Sequence, residues 1–329
     1  MSVRTMVCQS LDGPDALRPV TTSPEPLAPD AVRLAVRAAG VNYPDLLMTR
    51  GAYQLRLEPP FTPGMEVAGT VIEAGPDAGQ WEPGARVIAM LRYGGYADQV
   101  VVPASSVVSL PDAFGFAEGA TYLVAAKTAH QALVYRGRLA AGETLLVLGA
   151  TGGVGLAAVE LGHLLGARVI AVGSSDERLA VAREKGADAV VNYHQQDLRG
   201  AVEALAGPNG VDVVYDPVGG ALSNASTHLL AWGGRLLVVG FASGEIPAFA
   251  ANHALLKGYS IVGVRAGEAG RRNPAQARES LDALLGYAAR GQLRPHVCAT
   301  FPLEEAAAAL RFMEQRGVVG RLALLTGGD

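Results

Sequence analysis

The sequence is poor in cysteine, because Cys8 and Cys298 are the only two in 329 residues. Two cysteines so far apart do not make a disulfide framework, and they lack the CxxC spacing of a zinc site. We therefore expect both to be small thiols, buried or half-buried, without a role in cross-linking or metal binding.

Blocks of like charge are missing as well. The chain carries a formal net charge of −4 at pH 7, and no stretch concentrates a basic patch. Such a chain has no general attraction for nucleic acid or for an anionic membrane surface. The composition disfavours a nucleic-acid partner and leaves a small molecule as the expected ligand.

Long apolar runs are also absent. The N-terminus passes from Met1 into a strand-like pattern without an apolar leader, and no run approaches the length of a membrane span. We therefore expect a cytoplasmic protein that does not associate with membranes.

What the chain does contain is typical of a soluble enzyme with two domains. Hydrophobic residues make up 50% of the chain, and 329 residues exceed the size at which one core usually keeps growing. Residues 1–110 show short alternating strands separated by turns, which indicates a β-rich, partly barrel-like domain. We predict one domain over 1–122 and 267–329 and a second over 123–266.

In the second domain, helical patterns alternate with six apolar strand-like segments. This alternation predicts an α/β fold with a doubly wound parallel sheet. The tail, with strands near 299–301 and 320–325 around a helix, could return to the first domain. The six segments begin at Thr144, Arg168, Val190, Val211, Arg235 and Ser260.

The most informative stretch joins the first of these strands to the next helix. Small residues follow the strand, with Ala150 in the first position of a glycine fingerprint and Gly152 and Gly155 in the second and third. Such a strand–turn–helix is typical of a dinucleotide site, because main-chain N–H groups and the helix N-terminus can approach the pyrophosphate. We predict a pyrophosphate-binding loop here.

The end of the second strand indicates which dinucleotide binds. NAD sites carry an acid at this point, but here Gly173 is followed by Ser174 and Ser175. The serine hydroxyls, together with Arg178 in the next helix, can bind a ribose 2′-phosphate. We therefore predict NADPH as the cofactor. The alternative is that Ser175 and Asp176 only cap the helix and Arg178 faces solvent.

Seven further motifs are distributed over the whole chain: AGVNYPD at 39–45, RGAY at 50–53, PGMEVAGTV at 63–71, PGARV at 83–87, GGYA at 94–97, VNY at 191–193 and VGF at 239–241. With the glycine loop, they make the chain resemble the medium-chain dehydrogenase/reductase superfamily, in its zinc-free quinone oxidoreductase branch that includes zeta-crystallin. The resemblance implies a Rossmann domain, a GroES-like catalytic domain and a homodimer joined through the strands near 260–264.

Alcohol dehydrogenases of that superfamily hold zinc with residues that this chain lacks. Asn42 and Met65 stand at two of the ligand positions, and neither suits tetrahedral Zn²⁺. We therefore predict no metal site and expect Glu66 to be a structural residue.

The resemblance also implies the site residues. Asn42 would lie beside the nicotinamide and Tyr53 near the substrate, with Tyr43 and Asp45 in the same group. The residues themselves leave other roles open, because Asn42 could be a turn residue, Tyr43 a packing ring and Asp45 a helix cap. The implied cofactor contacts are Thr128, Gly152, Gly153, Val154, Ser174, Arg178, Tyr193, Phe241 and Arg321.

The predicted function is an NADPH-dependent reductase of quinones. Reduction of α,β-unsaturated carbonyls or enoyl thioesters at the same site is the alternative, and a thioester would need cations such as Arg50, Arg56, Arg92 or Arg265. An alternative of another class is a nucleotide-binding structural or regulatory protein without significant turnover.

Overall fold

The structure, a computed structural model, describes residues 2–315 and 317–327. The chain divides into two compact units, unit 1 with Met1–Val124 and Ala288–Asp329, and unit 2 with Ala125–Tyr287. The boundary expected between 266 and 267 thus falls between 287 and 288. The helix before it belongs mostly to unit 2, where Ser280 Oγ lies 3.0 Å from His130 Nδ1.

Short strands dominate both ends of the chain and alternate with helices in its middle. In the described residues the strands are β1 (Val3–Cys8), β2 (Leu17–Thr22), β3 (Ala31–Val41), β4 (Glu66–Ala74), β5 (Arg86–Met90), β6 (Gln99–Pro103), β7 (Val107–Ser109), β8 (Thr144–Val147), β9 (Arg168–Gly173), β10 (Ala189–Asn192), β11 (Val211–Asp216), β12 (Leu230–Val238), β13 (Ser260–Gly263), β14 (Val297–Pro302) and β15 (Arg321–Leu325).

The α-helices are concentrated after residue 116. They are α1 (Tyr43–Thr49), α2 (Phe116–Gly119), α3 (Leu123–His130), α4 (Gly153–Leu164), α5 (Asp176–Glu184), α6 (Leu198–Ala206), α7 (Gly220–Thr227), α8 (Ala251–Lys257), α9 (Ala266–Arg272), α10 (Pro274–Ala289) and α11 (Ala306–Glu314). A π-helical segment, Gln131–Arg136, continues α3. No helix in the described parts of the chain is long and apolar enough to cross a bilayer.

Unit 1 is built on a sheet in the order β14-β15-β3-β4-β5-β7, and β6 also pairs with β3. The long strand β3 alternates buried apolar and partly exposed side chains, which gives the sheet its core face. The C-terminal strand β15 pairs antiparallel with β3, with Leu322 opposite Val41. The predicted return of the tail to the first domain is therefore confirmed.

Unit 2 contains a six-stranded sheet in the order β10-β9-β8-β11-β12-β13, and every pairing in it is parallel. This confirms the predicted doubly wound sheet. The strand order reverses between β8 and β11, and open parallel sheets bind ligands beyond the carboxyl ends of their strands at such a point. The glycine-rich loop follows β8 at this edge.

The two cysteines differ in exposure. Cys8 is buried, as expected, but Cys298 is exposed. The expectation was wrong for Cys298 because β14 is an edge strand whose side chains alternate between half-buried and exposed, and Cys298 falls on the exposed side.

Candidate functional site

The glycine-rich loop of unit 2 is shaped by close backbone contacts. Gly149 has a φ of 57°, and a Cβ there would lie 2.8 Å from Val218 Cγ2. A Cβ on Gly155 would overlap the Gly149 carbonyl oxygen and lie 2.9 Å from Ala150 Cα. Helix α4 can therefore start this close to the turn after β8 only because Gly155 has no side chain.

The N-terminal end of α4 fits an anion. Gly152 is the N-cap, no side chain caps this end in the described residues, and Gly152, Gly153 and Val154 are partly exposed. The first N–H groups of a helix have no acceptor in their own helix and face bound anions. In contrast, Ala150 is fully buried and its N–H donates to the Val172 carbonyl at 3.0 Å. Gly152–Val154 thus suits a pyrophosphate, whereas Ala150 shapes the turn.

The end of β9 carries the side chains expected to bind a 2′-phosphate. Ser174, Ser175 and Arg178 are all partly exposed. Ser175 is the N-cap of α5, but within the described residues its side chain makes no capping hydrogen bond. The neighbouring acid, Asp176, accepts a hydrogen bond from Asn192 Nδ2 at 2.9 Å. A side chain of β10 therefore holds the Asp176 carboxylate beside the two serines.

The loops after β10 and β12 contribute the other two expected residues of this edge. The N–H of Tyr193 donates to the Gly173 carbonyl at 3.1 Å, so Tyr193 lies beside the end of β9. Phe241 is 37% exposed, and a Cβ on Gly219 would lie 2.9 Å from its ring. Both aromatic side chains thus lie where parallel sheets bind ligands.

Asp216, at the end of β11, lies at the same edge of the sheet and was not among the site residues predicted from the sequence. Its Oδ1 accepts hydrogen bonds from the N–H groups of Val218 and Gly219, both at 2.9 Å. Its Oδ2 is buried without a hydrogen-bond partner among the described residues. An acid directly after a buried strand, followed by Pro217 and two glycines, was the signal that could have indicated it.

In unit 1, five side chains form a cluster that we call the buried polar cluster: Asn42, Asp45, Glu66, Tyr96 and Arg321. Asp45 accepts hydrogen bonds from the N–H of Asn42 at 2.8 Å, the N–H of Gly64 at 3.1 Å and the Tyr96 hydroxyl at 3.2 Å. It thus caps the start of α1, the alternative that the sequence left open for it.

Glu66 lies at the centre of the other half of the cluster. Its Oε2 accepts a hydrogen bond from the Val124 N–H at 2.9 Å. Its Oε1 is ion-paired with Arg321 Nη2 and accepts from Asn42 Nδ2 at 3.3 Å. The same Arg321 nitrogen donates to Asn42 Oδ1 at 2.8 Å. The guanidinium that the resemblance assigns to the cofactor therefore binds two side chains of its own unit.

Burial dominates the electrostatics of this cluster. It raises the pKa of Asp45 to about 7, although the hydrogen bonds from Asn42, Gly64 and Tyr96 oppose the increase. Burial also raises the pKa of Glu66, against the effect of Arg321. The pKa of Tyr96 is raised well above its ordinary value by burial and then by the nearby Asp45. At neutral pH Tyr96 is a neutral donor, and Asp45 titrates there.

Three further expected residues occupy different environments. Tyr43 is 36% exposed at the start of α1, whereas Tyr53 is half-buried and packs against the apolar core of unit 1. Thr128 lies partly buried on α3. Tyr43 is therefore the more accessible of the two phenols.

The four arginines considered for a thioester do not form one group. Arg50 is ion-paired with Glu314, which joins α1 to α11 within unit 1. Arg56 and Arg92 are exposed side chains of unit 1, and Arg265 is exposed in unit 2. The pairing of Arg50 makes it the least suitable of the four for binding a ligand phosphate.

Two family descriptions match the chain. An alcohol dehydrogenase GroES-like domain matches residues 28–112, and a zinc-binding dehydrogenase domain matches residues 153–285. Each match lies within one of the two units of the structure.

Named relatives are similar to the chain over nearly its whole length. Quinone oxidoreductase-like protein 2 of Bos taurus is 37% identical, and the match covers 98% of this chain and 92% of the relative. The quinone oxidoreductase of Thermus thermophilus, solved alone and with NADPH, is 33% identical with a TM-score of 0.86 over 98% of this chain and 99% of that one. A mycobacterial protein complexed with NADPH is 31% identical with a TM-score of 0.88, over 98% and 99% of the two chains.

Zinc, which one family description names, does not fit the residues present. Glu66 is engaged by a guanidinium, and an amide and a thioether stand at Asn42 and Met65. Within residues 2–315 and 317–327, no group of three or more His, Cys, Asp or Glu side chains could hold a metal ion. The chemistry of this cluster is therefore that of hydrogen bonds and a guanidinium charge.

Proposed function

The chain belongs to the medium-chain dehydrogenase/reductase superfamily of oxidoreductases, and we propose that it is an NADPH-dependent reductase that transfers hydride to quinones without zinc. One observation carries the proposal: the Glu66 carboxylate is bound to Arg321 rather than offered to a metal. Without a Lewis acid the acceptor has to be electron-poor already, as quinones are.

NADPH, when bound, would supply the hydride. The residues of unit 2 would hold it by its phosphates. The N–H groups at Gly152–Val154 would bind the pyrophosphate, while Ser174, Ser175 and Arg178 would bind the 2′-phosphate. The hydrogen bond that Asp176 accepts from Asn192 supports NADPH over NADH, since this nearest acid after β9, the first residue of α5, is already engaged within the protein.

Residues of unit 1 would act on the acceptor. Asn42 and Tyr53 would donate hydrogen bonds to an acceptor oxygen, where negative charge develops as hydride arrives at the ring. A phenol, from Tyr53 or the more exposed Tyr43, or solvent would supply the proton that completes the product. Asp45 would contribute by holding the start of α1 and the Gly64 turn, because its oxygens are bound within the protein.

Turnover with a panel of acceptors tests this function. NADPH oxidation should be fast with 9,10-phenanthrenequinone and 1,4-benzoquinone and slower with an alkenal and an acryloyl thioester. The reverse order would assign the enone or enoyl-thioester reductase instead. Tight NADPH binding without oxidation by any of the four would favour a nucleotide-binding protein of structural or regulatory role.

The cofactor assignment has its own test in Arg178→Ala. We expect the ratio of kcat/KM for NADPH to that for NADH to collapse, because a 2′-phosphate dianion loses its cation. Arg183→Ala, which removes an exposed arginine from the same helix, is the matched control and should leave the ratio unchanged. An unchanged ratio in Arg178→Ala would remove that residue from the site.

We also propose that two copies associate through the edge of the unit 2 sheet. Strand β13 ends the sheet, and Trp232, Leu255 and Leu256 are each more than 70% exposed on β12 and α8 nearby. Exposed apolar groups beside a sheet edge are typical of an interface. Light scattering should give a dimer for the protein and a monomer for Ile261→Lys, which places a charge on β13.

A further inference from the structure

The amide of Asn42 is held at both of its ends. Arg321 Nη2 donates to Asn42 Oδ1 at 2.8 Å, and Asn42 Nδ2 donates to Glu66 Oε1 at 3.3 Å. The ion pair between Arg321 and Glu66 closes this set of bonds into a triangle. All three side chains are less than a tenth exposed.

The triangle permits only one orientation of the amide. Rotation by half a turn would place Asn42 Oδ1 against the Glu66 carboxylate and Asn42 Nδ2 against the donors of Arg321. Both contacts would be repulsive in a site that water does not screen. An isolated asparagine has no such preference between its two ends.

Three parts of unit 1 bring these side chains together. The antiparallel register that pairs Leu322 with Val41 brings Arg321 to the end of β3, where Asn42 follows. Glu66 begins the neighbouring strand β4. A Cβ on Gly40 would lie 2.9 Å from both Cγ and Oε1 of Glu66, so the carboxylate has its place only because residue 40 is glycine.

We propose that Arg321 is a positioning residue that, with Glu66, fixes which polar end of the Asn42 amide faces a ligand. The inference rests on the proposed function in that Asn42 is the residue that touches the ligand. Oδ1 is engaged by the guanidinium and one N–H by Glu66. The remaining N–H donates to the Gly40 carbonyl at 3.4 Å, the longest of the three hydrogen bonds of this amide, and is the group that Asn42 would turn to an acceptor oxygen.

Two sets of variants separate this role from simple charge balance. Glu66→Gln/Arg321→Met removes both charges at similar volume, so no lone buried charge remains. Arg321→Lys keeps the positive charge beside Glu66, but its side chain ends one bond short of Nη2, the one nitrogen that donates to both partners. Each is made alone and in an Asn42→Ala background.

The readout that does not depend on turnover is the side-chain ¹⁵N–¹H pair of Asn42, identified by its disappearance in Asn42→Ala. We expect this pair to shift or broaden in Arg321→Lys as well as in the double variant. An unchanged pair in both would overturn the proposal, whatever the acceptor panel gives. Charge balance alone would leave Arg321→Lys like the parent.

Turnover then measures how far the effect of Glu66 and Arg321 on the reaction depends on Asn42. We expect kcat to fall roughly 10- to 100-fold in Glu66→Gln/Arg321→Met, as for a misplaced reacting group, and to change little when the same substitutions are made in Asn42→Ala. A rise of the NADPH Kd that persists in Asn42→Ala would show direct contact between Arg321 and the cofactor and would overturn the positioning role. Failure of the parent with every acceptor would instead reject the proposed function. The amide resonances of Asn42 would still decide whether Arg321 positions that side chain.

Discussion

The glycine-rich loop of unit 2 is made within residues 144–155, whereas the buried polar cluster of unit 1 joins residues from 42 to 321. The loop offers main-chain N–H groups, and its side chains matter mainly by being small. The cluster works through side-chain charges and hydrogen bonds, and four separate segments of the chain supply its members. The first arrangement is set by local backbone geometry and the second by strand register.

This difference predicts which kind of substitution should destabilise each region. The loop should be sensitive to added volume and insensitive to charge, because its contacts are steric. The cluster should be sensitive to the loss of one charge and tolerant of the loss of two, because a lone buried charge is the costly species. Three measurements can break or sharpen this comparison.

The largest effect is expected for Arg321→Met. Leaving the Glu66 carboxylate buried without its partner should lower the free energy of unfolding of unit 1 by about 3–5 kcal/mol. Trp81 packs against the core of unit 1, and the chain has two tryptophans. Urea unfolding followed by Trp81 fluorescence in a Trp232→Phe background therefore reports on unit 1.

The double variant Glu66→Gln/Arg321→Met is the control for this prediction. It should recover most of the lost stability, since neither charge remains. If it is as unstable as Arg321→Met, the cost comes from packing rather than from the unpaired charge, and the contrast between the two regions is lost.

A smaller effect is expected in the loop. Gly155→Ala should destabilise unit 2 by about 1–3 kcal/mol, because its Cβ would overlap the Gly149 carbonyl. The matched variant is Gly152→Ala, because the nearest contact of its Cβ would be at 3.5 Å. It should leave the stability of unit 2 unchanged. It should weaken NADPH binding roughly tenfold, or ~1.4 kcal/mol, because the added methyl group crowds the phosphate. Amide hydrogen exchange of β8 and α4 measures the stability of unit 2, and an NADPH titration measures the binding. Equal destabilisation by both alanines would contradict the steric account.

The smallest effect concerns pH. Burial raises the pKa of Asp45 to about 7, so the folded state holds the proton more tightly than the unfolded state does. The contribution of Asp45 to stability is therefore complete at low pH and is lost as pH rises toward 7. Between pH 6 and pH 8 this lowers the free energy of unfolding of unit 1 by about 1 kcal/mol.

Asp45→Asn should remove that part of the pH dependence. Asp77→Asn, which changes an exposed acid of the same unit, should keep it. Unfolding followed through Trp81 at both pH values measures the slopes. Equal changes of stability between pH 6 and pH 8 in the parent and in Asp45→Asn would contradict the assignment.

Much of the architecture could be read from the sequence because its signals are local. The six strands of unit 2 were predicted from apolar segments such as that at Thr144, and the loop from its glycines. The end of unit 2 was missed, because the contact of Ser280 with His130 joins residues far apart in the chain. Asp216 was missed for a different reason, since its contacts with Val218 and Gly219 are local and the sequence that follows it could have indicated the turn.

The sequence by itself determined where the strands, the helices and the small residues of the loop lie, since side-chain size and periodicity act between near neighbours. Only the tertiary structure decided what the polar residues do. Asn42, Glu66 and Arg321 have no relation in the sequence, and they become one unit because antiparallel pairing brings β15 against β3. Hydrogen bonds depend on distance in space, which spacing along the chain does not specify.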